Sequence, residues 1–349
     1  MHEIGPKHNL SYRQDILLKL FGYIESTDSF YVIGAASMGK TRLMDHIMRP
    51  EVQKHYLGDK APATWIIRVD LNRMPTRENW NFYELLLSAL MLACNDHRDI
   101  EDIDDIQATI VNLDTQVIER RDYLLSLRLF ELAVSRLCQQ HGFSLCFLFD
   151  EFDEMYTTLP RELFAQLRAI RDANKNRLCY GIYMRHLPER LRPYADIEGF
   201  RELFSHRMLG LTPYNLQDAT QMLLQLEARK QTAFSADRRE WIFINSGGHP
   251  GLISALVDLY INNPQAAHKT SQIGWFADQP GITDECEKIW KGLSDDERAG
   301  LLALAQGTYT NISALTKASL RLKGLVTQQN GVERFFSPLF EQYIRSQLP

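Results

Sequence analysis

Residues 34–41 read Gly-Ala-Ala-Ser-Met-Gly-Lys-Thr, which fits G-x-x-x-x-G-K-[ST], and they follow the apolar stretch Phe30-Tyr31-Val32-Ile33. Strand, glycine-rich turn and helix in that order form a phosphate-binding loop, and the order restricts the chain to folds built on a parallel sheet. Gly34 and Gly39 let the backbone curl, so that amides of Ala35, Ala36, Ser37 and Met38 point inward at phosphate oxygens, with a helix N-terminus behind them. Lys40 is expected to reach the β- and γ-phosphates, and the Thr41 hydroxyl to hold Mg²⁺.

A length of 349 residues predicts two or three domains. The formal charge of −5 gives no whole-chain attraction to nucleic acid or to an anionic membrane surface. Cys94, Cys138, Cys146, Cys179 and Cys286 form no C-x-x-C pair, which suits buried thiols in a reducing compartment. The polar N-terminus lacks a signal-like apolar region, and the oily run Leu85 to Cys94 is too short for a membrane span. A cytoplasmic protein is expected.

Helical spacing runs through residues 9–25, and the helix after the loop must end near Met48 because Pro50 follows. Strands are expected at 29–33, 65–71, 144–149, 178–184 and 207–211, with helices at 80–94, 123–140 and 160–174. Strand–helix alternation predicts an α/β fold with a parallel sheet covered on both sides. The acidic segment 95–118 reads as an exposed insertion. After Pro213 the pattern is helical, broken at Gly247-Gly248-His249-Pro250-Gly251, and turn residues near Asp278-Gln279-Pro280-Gly281 mark a boundary. The tail offers helices at 284–291, 295–305 and 312–322, an Asn330-Gly331 hairpin, and a last helix opened by Ser337-Pro338. That order resembles a winged helix. The expected division is 1–212 for the nucleotide-binding α/β domain, 213–282 for a helical lid, and 283–349 for the winged helix.

The oily run 144–149 ends in Asp150-Glu151. Asp150 is placed to hold the Mg²⁺ shell, and Glu151 to accept a proton from attacking water. Asp153 and Glu154 read as surface carboxylates. Arg185 follows the fourth strand, where it either contacts the γ-phosphate or is a generic strand-end cation. If subunits stack, Arg201 or Arg207 could complete a neighbour's site. Arg168, Arg171, Lys175 and Arg177 read as a solvated face. Pro250 either packs on a purine or simply opens a helix. Asn174-Lys175-Asn176-Arg177 fails the guanine-recognition pattern at its last position, so ATP is favoured over GTP, and no metalloprotease or hydrolase motif is present.

Together these residues resemble the STAND class of signal-transduction ATPases and, more loosely, the AAA+ origin-initiator group, from about residue 9 onward. The resemblance implies that Gly34–Thr41 is a Walker A motif and Phe147–Glu151 a Walker B motif. It also implies that Arg13, in Tyr12-Arg13-Gln14-Asp15, lies near the adenine pocket. Arg185 falls at the sensor-1 position, and Pro250 belongs to a Gly-x-Pro motif that touches the base. Such proteins usually carry an effector domain and sensor repeats, neither of which is expected within these 349 residues. Many also have a winged-helix histidine on the nucleotide, where Ser337-Pro338 stands here.

The leading expectation is an ATP-binding switch with slow, Mg²⁺-dependent hydrolysis, acting on a separate effector or client protein. A nucleic-acid-associated ATPase of initiator or transposition-regulator type is the alternative. It would use Lys317, Arg321, Lys323 and Arg334 on DNA and form nucleotide-dependent oligomers. A third reading is a scaffold that binds ATP without turning it over. No membrane partner is expected.

Overall fold

A computed structural model describes residues 8–74, 77–205 and 207–348. The chain divides into two compact units. Asp15–Val32 and Met44–Leu209 form the first, and Met1–Gln14, Ile33–Leu43 and Gly210–Pro349 the second.

The first unit carries a five-stranded sheet. Its strands are β1 (Phe30–Ile33), β2 (Thr64–Asp70), β3 (Ser144–Asp150), β4 (Leu178–Met184) and β5 (Met208–Gly210), in the order β2-β3-β4-β1-β5. β2, β3 and β4 run parallel, with Asp70 opposite Asp150 and Cys146 opposite Cys179. Both neighbours of β3 are strands, and every residue from Leu145 to Asp150 is buried, as a two-sided apolar run requires. The five expected strands stand where the sequence placed them.

Residues 95–118 are not an exposed insertion. Ile103–Arg120 is a helix burying Ile103, Ile106, Ile110, Leu113 and Val117 against helices Asn79–Ala93 and Tyr123–Ser135. Those apolar residues alternate three and four apart, a helical stripe obscured by the acids between them. The first helix also starts later than expected, at Gln14, because Arg13 is left-handed at φ +49 and a helix cannot pass through such a residue.

Asp114 belongs to the same buried face, 8% exposed, with an oxygen that has no hydrogen-bond partner among the described residues. Burial first, and then the Glu84 carboxylate, push its carboxyl up to about 6. The folded state therefore holds this proton more tightly than the unfolded chain does. The contribution to stability is complete below the usual carboxylate range and is lost as pH rises through 6. Asp114→Asn should stabilise the protein by about 1–3 kcal/mol at pH 8 and by less at pH 5, read from urea midpoints at the two pH values.

In the second unit, helices Leu216–Lys230, Ala236–Ser246 and Pro250–Asn262 pack on one another. Pro280 and Gly281 begin a helix, Pro280–Lys291, with the proline in its first turn, so the expected turn there is a helix start. Asp295–Ala305 opens with a capping box of Ser294 and Glu297. Ala314–Leu322, the antiparallel hairpin β6 (Val326–Gln329) and β7 (Val332–Phe335), and Pro338–Ser346 follow, as a winged helix requires.

Glu297 and Lys323 are fully buried and paired at 2.6 Å, and the same carboxylate accepts from the Ser319 hydroxyl at 2.5 Å and the Ser294 amide at 2.9 Å.

Candidate functional site

The sequence-predicted residues divide between the units, with the glycine-rich loop, Arg13 and Pro250 in one and Asp150, Glu151 and Arg185 in the other.

In the loop, Ser37 lies at φ +54 and Gly39 at φ +89, the left-handed backbone that turns consecutive amides toward one point. A side chain on Gly39 would face the Tyr214 hydroxyl at 3.5 Å, the Tyr12 hydroxyl at 3.9 Å and Pro250 at 4.0 Å. Lys40 is buried, and its ammonium donates to the carbonyls of Gly34 at 2.8 Å and Ala35 at 3.0 Å. Thr41 is exposed on the first turn of helix Lys40–Ile47.

Arg13 is buried at this loop. Its guanidinium donates to the Met38 carbonyl at 2.8 Å and the Thr212 carbonyl at 2.7 Å, and lies 4.5 Å from the centre of the Tyr214 ring. Its own amide donates to the Asp218 carboxylate at 3.1 and 3.2 Å. Arg13 therefore ties the loop to residues 212–218.

His249, fully buried, makes a second tie. Its Nδ1 accepts from the Leu252 amide at 3.3 Å, capping helix Pro250–Asn262, so Nε2 carries the proton and donates to the Ala36 carbonyl at 3.1 Å. The sequence reading passed over His249 and Tyr214. For the histidine a signal existed, since a proline in the first turn makes the preceding residue the cap.

Burial foremost pushes the His249 imidazole down to about 4, from an ordinary 6.5. A depressed histidine stabilises the fold fully above 6.5, and that contribution is lost as pH falls toward 4, by up to about 3 kcal/mol. His249→Asn, which keeps an N-cap acceptor, should flatten the fall in urea midpoint between pH 7 and pH 5.

In the other unit, Asp150 is buried and accepts from Arg68 at 3.3 Å, while Arg68 also donates to Asp45 at 2.6 Å. Glu151 and Arg185 are brought together at 2.8 Å, both about two-fifths exposed. Glu151 sits at φ +51, a conformation costly for a side-chain-bearing residue and often found at functional sites.

Asp153 is not a surface carboxylate. It accepts from the amides of Arg185 and His186 and from the His186 ring, at 2.9 to 3.1 Å, fixing the turn after β4. Burial pushes its carboxyl up, but the His186 and amide hydrogen bonds outweigh burial and hold it below the usual range. Glu154 is exposed and pairs with Arg77.

The other arginines are engaged within the chain. Arg201 pairs with Glu189 over the Tyr194 ring with its side chain 8% exposed. Arg207 binds Asp28 and the carbonyls of Ser29 and Leu203. Arg168 bonds to Asp172, the Gly199 carbonyl and Glu202, and Arg171 to Asp172, so both are structural ties. In the winged helix, Lys323 is buried on Glu297, Arg321 pairs with Glu333, and Lys317 donates to the Thr310 carbonyl over the Tyr309 ring.

No family model matches the chain, and no curated protein matches it. Among solved structures, the Walker-type ATPase PABY2304 of Pyrococcus abyssi is similar over 98% of this chain and 99% of that one, at 14% identity and a TM-score of 0.57. The chain shares the fold of that Walker-type ATPase. The ADP form of the ORC2 protein of Aeropyrum pernix is matched over 99% of this chain and 96% of that one, at 12% identity and a TM-score of 0.47. A STAND protein with a tetratricopeptide repeat sensor, PH0952 of Pyrococcus horikoshii, is matched over 99% of this chain and 44% of that one, at 12% identity and 0.38. These last two add nothing to the fold assignment.

The residues of the P-loop fit a nucleotide's phosphates, since its left-handed turns and buried ammonium form the cradle such a group needs. Thr41 and Asp150, the residues expected to hold Mg²⁺, belong to different units. Among the described residues no three His, Cys, Asp or Glu gather as a metal cluster, and none of the helices is long and apolar enough to cross a membrane.

Proposed function

We propose that the chain is an ATP-binding switch that hydrolyses ATP slowly and acts on a separate partner protein. The observation that carries this reading is the pair of ties on the P-loop, Arg13 to the Met38 carbonyl and His249 to the Ala36 carbonyl. Any change in the loop's shape on binding phosphate pulls on residues 212–218 and on helix Pro250–Asn262. A switch needs such a coupling between the ligand and a second element.

In this reading Lys40 neutralises phosphate charge, and Thr41 and Asp150 hold Mg²⁺. Bound Mg²⁺ supplies charge neutralisation at the transferring phosphoryl group. Glu151 accepts the proton of the attacking water, and Arg185, hydrogen-bonded to that carboxylate, keeps it oriented. Tyr12, Tyr214 and Pro250 line the adenine side, next to Gly39. Residues 213–282 act as the lid and 283–349 as the winged helix.

Of the four cations named for DNA, Lys317, Arg321 and Lys323 are engaged within the chain and Arg334 is exposed, which favours a winged helix that contacts protein over one that contacts DNA, because each phosphate contact needs an available cation. The test is a pair of variants. Lys40→Ala should lose ATP binding, and Glu151→Gln should keep it while losing turnover. The Glu151→Gln form held in ATP is then the bait for the partner.

A further inference from the structure

We infer that Glu285, on helix Pro280–Lys291, sets how tightly the P-loop takes polyphosphate. The inference rests on the nucleotide-binding reading above and names a determinant which that reading does not contain.

One Glu285 carboxylate oxygen pairs with Lys288 at 2.5 Å. The other is buried and has no hydrogen-bond partner among the described residues. It is directed at the loop. A Cβ on Gly251 would overlap that oxygen and also come within 3.0 Å of the Ser37 Cβ, so the carboxylate and Ser37 share the space in front of Gly251. Just beyond the end of the same helix, a Cβ on Gly292 would lie 3.5 Å from the Ala36 Cβ, so the segment 285–292 runs along the loop.

Gly251 is in the first turn of helix Pro250–Asn262, whose 13 residues give its N-terminus a positive end that favours an anion. Glu285 supplies that anion from within the chain. A nucleotide's phosphates bring several further negative charges to the same neighbourhood, where a carboxylate with one buried oxygen repels them with less screening than a fully exposed one would. Glu285 therefore lowers affinity in proportion to phosphate charge and leaves adenosine binding alone.

The test is titration of the full chain with ATP, AMP and adenosine, in wild type, Glu285→Gln, Lys288→Met and Lys40→Ala. Glu285→Gln should tighten ATP about tenfold, AMP by less, and adenosine not at all. Lys288→Met, which leaves the Glu285 charge uncompensated, should weaken ATP. Unchanged or weaker ATP binding in Glu285→Gln overturns the inference, and so does equal tightening of ATP and adenosine, which marks repacking. Should Glu285→Gln fail to fold, an unchanged ATP affinity in Lys288→Met overturns it instead. Wild-type ATP affinity that survives Lys40→Ala overturns the nucleotide reading itself, a separate result.

Discussion

Lys40→Ala is expected to weaken ATP binding more than a hundredfold, while Glu151→Gln binds ATP as wild type does and turns it over at least about a hundredfold more slowly. The two effects have different causes. The Lys40 ammonium is buried against the Gly34 and Ala35 carbonyls, so alanine removes the loop's cation and its internal brace together. Glutamine at 151 keeps the side-chain length and an oxygen for Arg185, but it cannot take a proton from water. Losing one general base costs about 10² to 10⁴ in rate. Equilibrium binding of a fluorescent ATP analogue and release of phosphate separate the two outcomes. ATP affinity unchanged by Lys40→Ala would remove the switch, the hydrolysis and the site together.

Lys323→Ala should destabilise the protein by about 3–5 kcal/mol, because it strands the Glu297 carboxylate in the interior. Burial pushes that carboxyl up, yet the Lys323 charge first, and then hydrogen bonds from Lys323, Ser319 and Ser294, outweigh burial and hold it below its usual range. The pair's contribution is therefore complete above the ordinary carboxylate range and is lost as pH falls through the lowered value. Replacing both residues with methionine should recover part of the loss, short of about 2–3 kcal/mol for the bonds from the Ser294 amide and the buried Ser319 hydroxyl. Urea midpoints of the wild type, the single variant and the double variant test this, and a single variant as stable as the wild type would contradict it.

Much of the fold was legible because its signals are local. The P-loop motif, the oily run 144–149 and Asn330-Gly331 each depend on a few adjacent residues. The helix Ile103–Arg120 is hard to see in the sequence because acids between its isoleucines mask their three-and-four spacing. For the candidate site, the loop, Asp150, Glu151 and Arg185 are expectations from motif and strand-end position, and their roles belong to the proposed function. The tie from His249 to the Ala36 carbonyl could not be read that way, because the two residues lie 213 positions apart. Lys323 misled for the same reason, because sequence shows a cation and only the structure shows Glu297 beside it.

The compact unit that contains the P-loop is assembled from three separate stretches of chain, ending with Gly210–Pro349. During synthesis the loop emerges early, but Thr212, His249 and Glu285 are still to come. A chain ended near residue 209 lacks Thr212, His249 and Glu285, and so leaves the loop without these neighbours. In the nucleotide-binding reading, competence to take up phosphate therefore waits until residues 212–285 have been made and have emerged.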